Sequence, residues 1–181
     1  MLIHAAAGGL GSALTRWAKR LGCTVIGTAG SAAKADLARA AGADHVIIGR
    51  DADIVAEVGK LTDGRGVDFA IDGIGGDMLR KTFACVRRFG TIASIGQAAA
   101  AIPPISAEDL GPVRSLSLAR PSVMAYAAEQ DTYRTATAAV IEAIEQGVFQ
   151  KPSYLYQLKD AARAQNAPET GKTTGSLVLV P

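Results

Sequence analysis

The residues best suited to chemistry come at the start of the chain. Ala6-Ala7-Gly8-Gly9-Leu10-Gly11 stands between the short apolar run Leu2-Ile3 and a stretch in which Leu14, Trp17, Ala18 and Leu21 recur at helical spacing. The spacing is that of G-x-G-x-x-G with Ala in the opening place. Without a Cβ at Gly8 a pyrophosphate can approach the backbone, and without one at Gly11 the helix can pack closely on its sheet. The start of that helix presents unpaired N–H groups and the positive end of its dipole, which is chemistry for holding phosphate. Glycine-rich turns also occur in proteins that bind nothing. Strand, turn and helix in the required order are what point to a dinucleotide here.

The residues after the second strand select the nucleotide. An NAD site, or one for S-adenosylmethionine, places Asp or Glu there to accept hydrogen bonds from ribose hydroxyls. This chain instead reads Gly27-Thr28-Ala29-Gly30-Ser31-Ala32-Ala33-Lys34. The Ser31 hydroxyl can donate to a phosphate oxygen and Lys34 can pair with its charge, which favours the 2′-phosphate of NADPH and disfavours a methyltransferase. The competing reading makes Ser31 a helix cap and Lys34 a solvated side chain.

Other candidates are weaker. His4 and His45 lack Cys, Asp or Glu at ligand spacing, so no zinc site is expected. Asp72 closes the fourth strand near the expected cleft, where it serves equally as a cap on the turn before Gly75-Gly76. No Ser-His-Asp or paired-carboxylate arrangement stands out, so no catalytic residue is assigned. Tyr126, Tyr154 and Tyr156 read as packing residues. Cys23 and Cys85 read as buried free thiols, suited to a reducing cytoplasm.

The elements that must position these residues alternate from the first residue. Helices are expected over Leu10–Leu21, Ser31–Ala41 with Gly42 ending it, Asp51–Leu61 and Asp77–Val86. Strands are expected over Leu2–Ile3, Thr24–Thr28, His45–Ile48, Val67–Asp72 and Thr91–Ile95. Near-continuous apolar strands between helices imply an α/β fold, a doubly wound parallel sheet of about six strands. Gln97–Pro112 reads as loop, Ser115–Ala119 as the sixth strand, and Asp131–Gln146 as a helix closed by Gly147. The tail carries Tyr154–Leu158, a short helix near Asp160–Gln165 and a last strand, Ser176–Val180.

Bulk properties exclude other classes. The 181 residues are 49% hydrophobic and 20% charged, with a formal net charge of +2. Basic residues are interspersed with acidic ones, so no nucleic-acid footprint is expected. The glycines at 8, 9 and 11 break any secretory apolar helix, and no apolar run reaches the ~20 residues of a membrane span.

Several motifs together carry a resemblance: His4–Gly11, Gly27–Ser31, Ala41–Ile47, Ile95-Gly96 and Lys172–Ser176. In this order they resemble the quinone oxidoreductases, the zinc-free, zeta-crystallin-like branch of the medium-chain dehydrogenase/reductase superfamily. The resemblance implies a six-stranded Rossmann sheet, NADPH as cofactor, and hydride transfer to a quinone or an α,β-unsaturated carbonyl. It assigns Gly8, Gly9 and Leu10, flanked by Ala7 and Gly11, to the pyrophosphate. Gly30, Ser31 and Lys34 go to the adenosine phosphate, and Ile95, Gly96, Gln97 and Ala98 to the nicotinamide side. Gly49 stands where the family often has Tyr or His beside the adenosine, which leaves Arg50 to replace that contact.

Family members carry a GroES-like catalytic domain before the Rossmann domain, and the sequence opens already inside the first strand. Residues 1–147 are therefore expected to form an NADPH-binding domain. Residues 148–181 correspond to a segment that in relatives rejoins the catalytic domain, here packed irregularly on the sheet or on a second chain. Asn166–Gly171 departs from the helical sequence usual there, with Pro168 and Gly171 expected to break the helix. Relatives dimerise through the strand at Ser115–Ala119, so a homodimer is expected. Two alternatives stay open: an enoyl-reductase piece of a larger synthase, and a nucleotide-sensing or interaction module without chemistry.

Overall fold

The computed structural model describes residues 1–149, 152–170, 173–174 and 176–181. Gly171, Lys172 and Gly175, named above in the tail motifs, lie outside the described residues. In chain order the elements are β1 (Leu2–Ile3), α1 (Gly9–Arg20), β2 (Ile26–Ala29), α2 (Ala32–Ala40), β3 (His45–Ile48), α3 (Ile54–Leu61), β4 (Val67–Asp72), α4 (Asp77–Cys85), β5 (Val86–Ser94), α5 (Ala107–Leu110) and β6 (Ser117–Ala119). The six strands form one parallel sheet in the order β3-β2-β1-β4-β5-β6. The order reverses between β1 and β4, which opens a crevice beyond their carboxyl ends.

Strand periodicity builds a core on each face. Leu2 and Ile3 point to opposite sides. Leu2 joins Ile54, Val58, Leu79, Phe83 and Ile92 under α3 and α4. Ile3 joins Ala6, Ala18, Val25 and Ala38 under α1 and α2. The second cluster is mostly alanine, so these helices lie close to the sheet.

Several boundaries differ from the sequence reading, each for a local reason. Helix α3 begins at Ile54 rather than Asp51, because the Asp53 side chain accepts the Ala56 amide and caps it there. The span Gln97–Pro112 is not all loop. Ser106 and Asp109 form a capping box that nucleates the single-turn α5. Ser115 sits at φ +48, outside strand geometry, so β6 starts at Ser117.

Beyond β6 come α6 (Val123–Ala128) and α7 (Gln130–Glu145), followed by Gly147 at φ +72. Helix α6 was absent from the sequence reading, and Tyr126 on it is 55% exposed rather than packed. The tail forms its own βαβ unit. Strand β7 (Tyr154–Gln157) leads through helix α8 (Ala161–Glu169) to β8 (Leu177–Val180), and the two strands pair in parallel. Pro168 does not break α8, contrary to expectation. It lies in the last turn, where the missing N–H removes a single ladder bond, and Thr170 closes the end by donating to the Asn166 carbonyl. Among the described residues no helix is long and apolar enough to cross a membrane.

Candidate functional site

The turn after β1 is shaped by close approach. Ala5 adopts φ +50 and accepts the Gly8 amide at 2.9 Å. A Cβ at Gly11 would collide with the Ala5 carbonyl, so only glycine lets α1 begin this near the turn. Gly8 occupies the N-cap position with no side chain to offer, and the first turn carries no acid. Among the described residues the amides of Gly9, Leu10 and Gly11 find no acceptor. These three donors form a ledge at the positive end of α1.

That ledge borders a cleft of about 440 Å³ at the carboxyl ends of the strands. Its walls come from the loops after successive strands: Ala5, Ala7 and Gly8 after β1, Gly30 and Lys34 after β2, Gly49 and Arg50 after β3, Ile74 after β4 and Ala99 after β5. Thr173 of the tail closes one side. A Cβ at Gly30 would stand 3.7 Å from Arg50 Cγ and Nε, so the Arg50 side chain runs over the Gly30 backbone. Among the described residues neither Lys34 nor Arg50 has a carboxylate partner. Two uncompensated cations therefore face the cleft.

Of the residues singled out from the sequence, Ala7, Gly8, Gly30, Lys34 and Arg50 line this cleft together. Gly9, Leu10 and Gly11 are one step back in α1, and Leu10 is 62% exposed. Ser31 caps α2, its Oγ accepting the Lys34 amide at 3.4 Å. Ile95, Gly96, Gln97 and Ala98 do not line the cleft. Their loop folds back on the turn after β4, with the Ala98 amide bonded to the Gly73 carbonyl, and Ala99 reaches the cleft instead. Arg120 fastens that loop by donating to Ser94 Oγ at 3.0 Å and to the Gly96 carbonyl at 3.5 Å.

The sequence reading missed a buried polar chain under the cleft floor. Thr82 Oγ1 donates to Asp72 Oδ2 at 2.8 Å, and His4 Nε2 lies 2.8 Å from the same hydroxyl. The Thr82 hydroxyl spends its one proton on these acceptors, Asp72 Oδ2 and the Met78 carbonyl. His4 Nε2 must therefore donate to Thr82, and Nδ1 accepts from the Thr28 hydroxyl at 3.3 Å. Burial holds His4 below its ordinary pKa, with the Asp72 charge opposing in part, so the ring is neutral near pH 7. Asp72 Oδ1 accepts the Ile74 and Gly75 amides at 2.8 and 2.9 Å, which makes it the cap of the turn before Gly75-Gly76. Strand register was the missing signal. Ile3 pairs with Gly27 on one side and Ile71 on the other, which sets His4 level with Thr28 and Asp72.

Cys85 is buried, and desolvation pushes its thiol up to about 12. Cys23 is only partly buried, a correction to the sequence reading. Tyr154 and Tyr156 are half-buried in the tail, Tyr156 beneath the Arg163 guanidinium at 5.4 Å.

The sequence profile of the zinc-binding dehydrogenases matches residues 9–142. The chain belongs to the zinc-binding dehydrogenase family. Among the described residues no group of three or more His, Cys, Asp or Glu is placed to hold a metal. Within the family the chain is 37% identical over 183 residues to the 2-haloacrylate reductase of a Burkholderia species, covering 100% of this chain and 55% of that protein. It is 36% identical to quinone oxidoreductase 1 of Escherichia coli K12, covering 99% and 56%. The crystal structure of the Escherichia coli quinone oxidoreductase complexed with NADPH superposes with a TM-score of 0.92 at 36% identity, over 99% of this chain and 56% of that one. A shorter match, 39% over 99 residues, reaches a highly reducing polyketide synthase of Gibberella zeae, covering 53% of this chain and 4% of the synthase. The chain thus spans about 55% of the length of the curated relatives it matches throughout.

Proposed function

We propose that this chain is the NADPH-binding portion of an oxidoreductase that transfers hydride to a quinone or an α,β-unsaturated carbonyl. One observation carries the reading: the uncapped start of α1 opens into the same cleft as two cations without carboxylate partners, Lys34 and Arg50. In this reading the Gly8–Gly11 backbone, with Ala7 beside it, holds the pyrophosphate. Lys34 and Arg50 flank the 2′-phosphate. The Ser31 hydroxyl accepts the Lys34 amide through a lone pair, so its proton stays free for a phosphate oxygen, and the two readings of Ser31 are compatible. The bound cofactor would supply hydride from its nicotinamide, and the loop Ile95–Ala98, fastened by Arg120, borders that end. Residues 148–181 then form a separate segment serving the catalytic half of the enzyme, as the length of the relatives suggests.

Fluorescence titration with NADPH and NADH tests this. Lys34→Ala is expected to weaken NADPH binding ten- to hundredfold, the worth of about 1.5–3 kcal/mol for a charged hydrogen bond, and to leave NADH within about twofold. Equal losses for both nucleotides would remove Lys34 from the 2′-phosphate. The polyketide synthase match supports a second reading, an enoyl-reductase piece of a larger synthase, which turnover of an enoyl thioester in preference to a quinone would favour. Binding without turnover of either acceptor would favour a sensing module.

We also propose that a second copy pairs on the edge of β6. Among the described residues that edge carries no further strand, and Val140, Ile141 and Ile144 of α7 are exposed. Sedimentation over a hundredfold concentration range should show a dimer, and a monomer throughout would refute it. The two free thiols suit a reducing cytoplasm as the place of work.

A further inference from the structure

A second large cavity lies at the other end of the sheet, below the amino ends of β4 and β5 and between α3 and the end of α4. Its volume is about 670 Å³. Val55, Val58 and Val113 give it an apolar side, and Arg65, Arg87, Arg88 and Arg114 reach its lining among glycines and the end of α4. Four guanidiniums there meet one carboxylate partner. Arg65 grips Asp68 through both terminal nitrogens at 2.9 Å, and Arg87 Nε reaches the same group at 2.5 Å. These two cations hold the Asp68 carboxyl well below the usual carboxylate range, so the local excess of positive charge does not change near neutral pH.

The donors that remain are directed by the backbone. Arg114 commits only Nη2, to the carbonyls of Phe83 and Val86 at the end of α4, leaving Nη1 and Nε. The Arg88 side chain makes no hydrogen bond among the described residues. Strand β5 carries three extra residues against β4 here: Val67 pairs with Val86 and Phe69 with Thr91. This bulge holds Phe89 at φ +61 and 74% exposed, a conformation disfavoured for a bulky side chain. Its amide is tied to the Arg114 carbonyl at 3.0 Å. The distortion brings Arg87 and Arg88 together to the cavity lining, the kind of re-aiming for which bulges are retained.

We propose that this cavity is a binding site for a small organic phosphate, separate from the cofactor cleft. Arg87 spends Nε on Asp68 and Nη1 on the Arg88 carbonyl at 2.6 Å, so the phosphate sits between Arg88, Arg87 Nη2 and the Nη1 and Nε of Arg114, and the organic body lies on the valines. Guanidinium suits this task because its planar fork pairs two donors with two phosphate oxygens.

Calorimetric titration with inorganic pyrophosphate tests the site, on the chain saturated with NADPH and on the Lys34→Ala chain. Both are expected to show saturable binding. Arg88→Ala should weaken it about tenfold, and Arg88→Lys should weaken it less, because a point charge is kept and the fork lost. Arg88 is exposed, so unchanged thermal unfolding of both variants should confirm an intact fold. Absence of saturable binding, or binding that Arg88→Ala leaves unaltered, would overturn the site. So would binding that NADPH displaces and Lys34→Ala abolishes, an outcome that places the anion in the cofactor cleft and leaves the cofactor reading intact.

Discussion

Gly11→Ala is expected to cost about 3 kcal/mol of stability and to weaken NADPH binding about a hundredfold. The added Cβ would run into the backbone of the preceding turn, the Ala5 carbonyl above all and Ala6 Cα at 2.9 Å. Backbone cannot rotate aside as a side chain can, so α1 must move away from the turn, and overpacking of this kind costs about 1–3 kcal/mol or more. The displacement carries the amides of Gly9 and Leu10 with it, and phosphate affinity falls with them. Gly8→Ala makes a useful contrast. Its Cβ would stand 3.2 Å from the Ala5 carbonyl, a contact that a few tenths of an ångström relieve. That variant should unfold within about 1 kcal/mol of the parent, yet weaken NADPH about tenfold because the methyl stands where a phosphate must approach. Paired thermal unfolding and fluorescence titration check both. A Gly11→Ala chain that melts and binds like the parent would show that the turn does not depend on this approach.

Much of the sheet was legible because each strand carries its own signal. His45–Ile48 is a short apolar run with turn residues on either side, and it forms β3 as read. Gly42 and Gly147 stop their helices at φ +105 and +72, where a residue with a Cβ would be strained. The elements that escaped are those held by contacts distant in sequence or by single caps. Helix α5 depends on one reciprocal pair, Ser106 and Asp109, inside a segment whose composition otherwise says loop. The bulge in β5 leaves no periodic trace, because residues 87–90 have no register partner in β4.

The site divides in the same way. The glycine turn and the Ser31–Lys34 segment are contiguous, so their chemistry can be read from neighbours in sequence. Arg50 lies on a different loop from Gly30, yet the parallel pairing of β2 with β3, Ala29 beside Ile48, brings the two loops to one wall. His4 was dismissed for want of metal partners at ligand spacing. Its true partners, Thr28, Asp72 and Thr82, are hydrogen-bonding groups supplied by two adjacent strands and a helix, and no local pattern in the chain assembles them.

That assembly leads to the second large effect. Asp72→Ala is expected to lower stability by about 3–5 kcal/mol, because the fully buried carboxylate is the acceptor for the Ile74 and Gly75 amides and an anchor for Thr82. Denaturant unfolding at pH 7 measures the loss, and a change below about 1 kcal/mol would mean the turn is satisfied some other way. The pH dependence should then identify His4. Its folded pKa lies below 6.5, so as pH falls through 6.5 the unfolded chain binds its proton first. Stability is therefore complete above that pH and declines below it, by at most about 1.4 kcal/mol per pH unit. The half-buried amino terminus, lowered from 8.0 by desolvation, has the same sign but acts in a higher window. Asp44, Asp68 and Asp109, all lowered from 3.8, act below pH 4. The Asp72 charge raises the His4 pKa against the effect of burial. In Asp72→Asn the acid decline should accordingly run to lower pH than in the parent, and coincident profiles between pH 6.5 and 4.5 would show that the imidazole and the carboxylate do not communicate through the floor of the cleft.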